Sequence, residues 1–180
     1  MYKTIYLKKG KEESLKRFHP WIFSGAILRG DDDIAEGDIV RVLSAGGDFL
    51  AVGHFQIGSI AVRVLSFRDV EIDDNFWTAR LASALEVRRS LGIADNPDNN
   101  TYRLIHGEGD FLPGLIVDVY ADTAVVQAHS AGMHLHRQEI ADAIVEVVPS
   151  VKNVYYKSDD TLPFKARLTG DKVGYLVQTS

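Results

Sequence analysis

The stretch GDIVRVLSAGGDFLAVGHF, residues 37–55, decides the fold of the first part of the chain. Two runs of β-branched and aromatic residues flank Ala45-Gly46-Gly47-Asp48. Strand-forming runs on either side of a glycine turn predict a β-hairpin. Downstream, IAVRVLSF (60–67) reads as another strand, in which Ala61 and Arg63 alternate with Val62 and Val64. Upstream, YKTIYL (2–7) reads as a strand for the same reason. Between them, KKGKEESLKRF (8–18) predicts a turn and a short helix. Leu15 and Phe18, three residues apart, should share its inner face, and Pro20 should end it. Short strands joined by glycine turns predict a small β-barrel or curled sheet over residues 1–70.

The pattern changes at residue 71. DDNFWTARLASALEVRRSLGI (73–93) predicts a helix capped by Asp73 or Asp74, with Phe76, Leu81, Leu85 and Leu91 as apolar contacts and Gly92 as its stop. ADNPDNN (94–100) is a polar turn segment, so residues 71–100 read as a linking helix and turn. YRLIHG, GLIVDVYAD and AVVQAHS are three further strands, and a helix over 133–148 follows, with Met133, Ile140, Ile144 and Val147 as its buried stripe. Pro149 closes it, VKNVYYKS (151–158) is a strand, and past Lys165 the pattern fades. The order β-β-β-α-β predicts an α+β domain over residues 101–180.

Composition narrows the chemistry. The chain has 180 residues, 46% hydrophobic, and no cysteine, which excludes disulfides, thiolate metal sites and a thiol nucleophile. No apolar run reaches the ~20 residues that cross a bilayer, and the N-terminus lacks a signal-like apolar core. The expectation is a cytoplasmic protein with no membrane partner. The net charge of −5 is unevenly spread: residues 1–30 carry seven basic and two acidic residues, while 31–72 carry three basic and eight acidic. One basic face near the N-terminus is therefore available to a polyanion.

Most candidate chemistry has a plain structural reading. His134 and His136 lie two apart and diverge on a helix, so they make no metal pair; solvent-facing or capping roles fit them better. HGEGDFLPG (106–114) matches neither a dinucleotide fingerprint nor a phosphate loop. Glu108 and Asp110 could act as paired carboxylates of a hydrolase, but a structural loop between strands fits better. No catalytic residue is assigned. RFHPWIFSGAI (17–27) is more informative. Lys16, Arg17 and His19 can meet phosphates, while Trp21 and Phe23 can either stack on bases or pack inside.

RFHPWIFSGAI, EGDIVRVL and AVGHF resemble the N-terminal PUA domain of the bacterial 23S ribosomal RNA cytosine-5 methyltransferase family. YRLIHGEGDFLPGLIVDVY resembles the signature opening that family's central α/β domain, and VKNVYYKSDD the strand after its helix. The resemblance implies a mixed fold, a PUA-like β-barrel followed by an α+β domain. It further implies a C-terminal Rossmann-like domain that binds S-adenosylmethionine and uses a cysteine to add to cytosine C6.

With no cysteine and no glycine-rich cofactor loop, the chain is expected to be truncated, to lack that catalytic domain, to bind no cofactor itself and to be inactive alone. The resemblance implies ribosomal RNA as partner, with Lys16, Arg17, His19, Trp21, Phe23, Ser24 and Gly25 in or near the RNA-facing loop, where Trp21 and Phe23 mainly hold it. Gly107, Glu108, Asp110, Pro113 and Gly114 match the central-domain signature. Apolar surface left by the missing domain is compatible with a homodimer. A non-enzymatic structural or protein-interaction module is the alternative.

Overall fold

A computed structural model describes residues 1–163 and 166–180. The described chain divides into two compact units, residues 1–71 and 72–180. Lys165, from which the sequence pattern fades, lies outside the described residues.

The first unit is a sheet of six strands: β1 (Lys3–Leu7), β2 (Trp21–Phe23), β3 (Ile27–Gly30), β4 (Ile39–Leu43), β5 (Phe49–Phe55) and β6 (Ile60–Ser66). Their order is β2-β6-β5-β4-β1-β3, with β1 and β4 parallel and every other pairing antiparallel. The predicted hairpin is β4–β5, closed where Ser44 N–H donates to Asp48 O at 2.8 Å and Gly47 N–H to Ser44 O at 3.0 Å. Alternation along these strands turns Ile5, Leu7, Ile22, Val40, Val42, Ala51, Val62 and Val64 into one core.

Leu15, on the four-residue helix α1 (Glu13–Lys16), joins that core. Phe18 does not. Pro20 does not end the helix either: α1 stops at Lys16, and Phe18 adopts a left-handed φ of 62° that swings its ring out to 71% exposure. The ring lies edge-on to Phe67, with centroids 5.3 Å apart. Pro20 instead begins the approach to β2, and its carbonyl accepts from Val64 N–H at 2.7 Å.

The second unit begins with α2 (Asp74–Ser90), capped by the Asp73 carboxylate, which accepts from Phe76 N–H at 2.9 Å. Trp77, Leu81, Ala84 and Leu85 form its buried face. Leu91, expected inside, is 65% exposed, and Trp77 carries the large apolar contact instead. Five strands follow: β7 (Thr101–His106), β8 (Leu115–Tyr120), β9 (Thr123–Ala128), β10 (Asn153–Lys157) and β11 (Val173–Val177), in sheet order β11-β10-β9-β8-β7. Only β9 and β10 run parallel, so a crossover must join them. That crossover holds α3 (Ala131–Leu135) and α4 (Arg137–Val147), and α2 packs against α4.

The single helix expected over 133–148 is thus two helices, divided at His136, and β11 is a strand the sequence reading missed. Met133, Ile140 and Ile144 are buried as the stripe requires, while Val147 is only partly covered. No helix among the described residues is long and apolar enough to cross a membrane.

Candidate nucleic-acid interface

Strand β2 lies at one edge of the first sheet and, among the described residues, pairs with β6 alone. Side chains two apart on a strand share a face, and the segment from His19 uses this to line up three rings. His19 and Trp21 meet edge-on at 6.0 Å, and Trp21 and Phe23 at 6.5 Å. His19 Nδ1 accepts from Trp21 N–H at 3.2 Å. Phe23 is 51% exposed, so its ring is not a core plug. Trp21 is half-buried beside it.

A shallow cavity of about 320 Å³ opens at this edge, with Lys11, Ser14, Trp21, Phe23 and Gly25 on its wall. Ser24, Gly25 and Ala26 form a 3₁₀ turn after β2, held where Lys8 Nζ donates to Gly25 O at 2.9 Å. Nothing lies within 4 Å of a Cβ placed on Gly25, so this glycine leaves the turn surface open. Lys16 is partly neutralised by Glu13 at 3.4 Å and Glu12 at 4.0 Å. Arg17 is exposed and has no ion-pair partner among the described residues.

The structure therefore brings Trp21, Phe23 and Gly25 together around one cavity, with Ser24 in the same turn, but Lys16 is not among the lining residues. Lys11, which lines the cavity, and Lys8, which holds its turn, were not singled out from the sequence. The signal was the basic run KKGK (8–11), which carries three of the seven positive charges in the first thirty residues.

The signature in the second unit forms a second constellation. Gly107–Asp110 is a 3₁₀ turn that continues β7. Asp110 closes it by accepting from His106 N–H at 2.7 Å and from Arg88 of α2 through both oxygens, at 2.5 and 2.7 Å. A carboxylate so fully engaged is a structural clamp rather than one half of a hydrolytic pair. Glu108 is exposed and Pro113 is buried. Gly114 has φ +84°, and a Cβ there would lie 2.7 Å from Ser130 Oγ, so only glycine permits this approach.

His134 and His136 do not converge. His134 is fully buried, contrary to the solvent-facing or capping expectation: Nδ1 lies 2.7 Å from Tyr156 OH and Nε2 2.7 Å from Thr169 O. A carbonyl only accepts, so Nε2 carries the proton and Nδ1 accepts from the phenol. Burial holds the imidazole pKa below its ordinary value. His136 lies instead against Trp77 and Glu139. Among the described residues, no group of three histidine or acidic side chains could hold a metal ion.

S-adenosylmethionine needs an open strand-to-helix turn with backbone donors facing the ligand. In the second unit, the crossover that joins the parallel strands β9 and β10 is closed at that point. Ser130 and Ala131 are buried, Ser130 Oγ accepts from Met133 N–H at 3.3 Å, and Gly114 packs against Ser130. These residues do not fit that cofactor.

Residues 5–67 match the model of the PUA-like domain family. The chain is 39% identical over 160 residues to ribosomal RNA large subunit methyltransferase I of Vibrio campbellii, covering 88% of this chain and 40% of that relative. It is 37% identical over 161 residues to the protein of the same name from Pseudoalteromonas translucida, with the same coverage. The chain thus spans about two-fifths of the length of these curated relatives.

Among solved structures, a protein from Streptococcus mutans described as a candidate SAM-dependent methyltransferase superposes with a TM-score of 0.76 at 18% identity, over 98% of this chain and 43% of that one. A candidate methyltransferase complexed with SAH gives 0.72 at 20% identity, over 93% and 43%. These two likenesses establish a shared fold. Residues 5–67 thus form a PUA-like domain, and the chain shows strong homology to part of the bacterial ribosomal RNA large subunit methyltransferase I proteins.

Proposed function

We propose that this chain is the RNA-binding, substrate-positioning portion of an S-adenosylmethionine-dependent methyltransferase that modifies cytosine C5 in 23S ribosomal RNA, and that it carries no methyl-transfer chemistry itself. The observation that carries this reading is the ring ladder His19–Trp21–Phe23 on an edge strand, bordered by Lys11 and the 3₁₀ turn at Gly25. Cations attract the phosphate backbone, and exposed rings receive unpaired bases. Arg17, Lys16 and Lys8 extend the positive charge around that edge. The reading carries with it a cytoplasmic location and a catalytic domain elsewhere that holds the methyl donor.

The test is binding of the 180-residue chain to a fragment of 23S RNA over a range of salt concentrations. Binding should weaken steeply with salt, and combined Lys11→Ala, Lys16→Ala and Arg17→Ala should flatten that slope by about 0.7 to 0.9 for each phosphate that is no longer neutralised. Equal binding at low and high salt by wild type and triple variant would overturn the reading in favour of a protein-interaction module. Light scattering on the same samples reports whether the chain is a homodimer.

A further inference from the structure

The second unit holds a cleft of about 530 Å³ between α2 and the 3₁₀ turn at Gly107–Asp110. Arg80, Ser83, Val87, His106, Glu108 and Phe111 are prominent on its walls. Its size falls within the range of small-molecule sites. The cleft is also preformed. Arg88 Nε donates to Arg103 O at 3.0 Å while its other two nitrogens grip Asp110, which fixes the turn to the helix.

Phe111 caps the 3₁₀ turn, its N–H donating to Glu108 O at 3.1 Å. It is a non-glycine residue at φ 60°, in the left-handed region, and its ring remains 65% exposed. Bulky side chains adopt this backbone only at a cost, and such strain recurs at ligand sites. Packing does not recover that cost here, since most of the ring faces solvent. The Arg80 guanidinium lies 5.7 Å from the Phe111 ring centroid and 5.0 Å from that of Phe76. The aromatic face and the planar cation therefore stand together at one cleft wall, a pairing that suits stacking of a flat heterocycle.

Charge separates this cleft from the basic edge of the first unit. Arg88 and Asp110 neutralise each other, and Glu108 adds a carboxylate opposite the charge of Arg80. A nearly balanced cleft offers little to a phosphate. It does offer acceptors and a ring nitrogen to the polar edge of a neutral base.

We infer that this cleft receives one unpaired nucleobase of an RNA strand, stacked on Phe111, with Glu108 and His106 facing its hydrogen-bonding edge. The inference rests on the RNA-binding reading and adds to it a base-recognition subsite in the second unit.

The experiment uses the 180-residue chain and a short single-stranded RNA in which each position in turn carries 2-aminopurine, whose fluorescence falls on stacking. Phe111→Gly removes the ring yet suits the left-handed backbone, and Phe111→Trp restores an aromatic face. Wild type should quench one position strongly. Phe111→Gly should abolish that quenching and weaken binding about tenfold, the scale of one base stack, by the same factor at low and high salt. Phe111→Trp should recover both.

Unchanged quenching and affinity in Phe111→Gly would overturn the subsite while leaving the RNA-binding reading intact, provided the basic-edge variants still weaken binding. No RNA binding by wild type would overturn both. Free AMP competing through Phe111 as strongly as the RNA would overturn RNA as the source of the base.

Discussion

Arg88 on α2 and Asp110 after β7 meet fork to fork, with Nη1–Oδ1 at 2.5 Å and Nη2–Oδ2 at 2.7 Å. Their side chains are only 13% and 8% exposed. The pair spans 22 residues of chain and binds a helix to a turn. Removing one partner of a buried ion pair leaves the other uncompensated, which costs about 3–5 kcal/mol. Asp110→Ala should therefore lower the urea midpoint sharply. The double variant Arg88→Met with Asp110→Leu should lose much less than the two single changes combined.

The two signature glycines Gly114 and Gly25 should behave in opposite ways. Gly114→Ala meets both a positive φ and the Ser130 hydroxyl, so it should destabilise by more than about 1 kcal/mol. Gly25→Ala meets no atom within 4 Å and needs no left-handed backbone, so its stability change should stay within about 0.5 kcal/mol. Thermal or urea unfolding of the two variants side by side checks this.

Stability should fall as the solution is acidified because His134 is buried in its neutral form. Its pKa is depressed by desolvation, opposed in part by the Thr169 carbonyl, with Arg137 and Lys172 adding to the depression. The unfolded chain takes up a proton near the ordinary histidine value of about 6.5, and the folded chain resists it. The His134 contribution is thus fully present above that pH and is lost as pH falls below it. His129 and His136 are shifted the same way, also mainly by burial. His134→Gln should lower stability at neutral pH and flatten, without abolishing, the decline of the urea midpoint as pH falls below the ordinary histidine value of about 6.5.

Leu15 and Phe18 should differ strongly despite similar hydrophobicity. Leu15 is 3% exposed within the first core, and truncation to alanine should cost about 2–5 kcal/mol. Phe18 is 71% exposed and retains only its edge contact with Phe67, so Phe18→Ala should cost no more than about 1 kcal/mol. Chemical unfolding of both variants distinguishes the inner residue from the outer one.

Much of the fold is local and therefore legible. Ala45-Gly46-Gly47-Asp48 sets a hairpin through turn conformation, and Asp73 caps a helix through a hydrogen bond three residues long. Runs such as IAVRVLSF announce strands because side-chain alternation repeats within the element. The RFHPWIF ladder was legible in part, as rings two apart must share a strand face. Its exposure was not, because nothing in those residues says that β2 is an edge.

The amino-acid sequence by itself determined the strand-rich first unit, the change to an α+β pattern after residue 71, and the absence of any cysteine chemistry. Tertiary structure alone decided which surfaces those elements present. Phe18 turns outward because its backbone crosses into the left-handed region, and β11 becomes a strand because β10 supplies an antiparallel partner. His134 becomes a buried clamp because Tyr156 and Thr169 arrive from 22 and 35 residues away. The same holds for RFHPWIFSGAI and HGEGDFLPG: their residue types suggested recognition, but long-range packing shaped the ring-lined edge and the Phe111 cleft. Local preferences act between chain neighbours, whereas burial and ion pairing depend on partners that only the folded chain brings within a few ångströms.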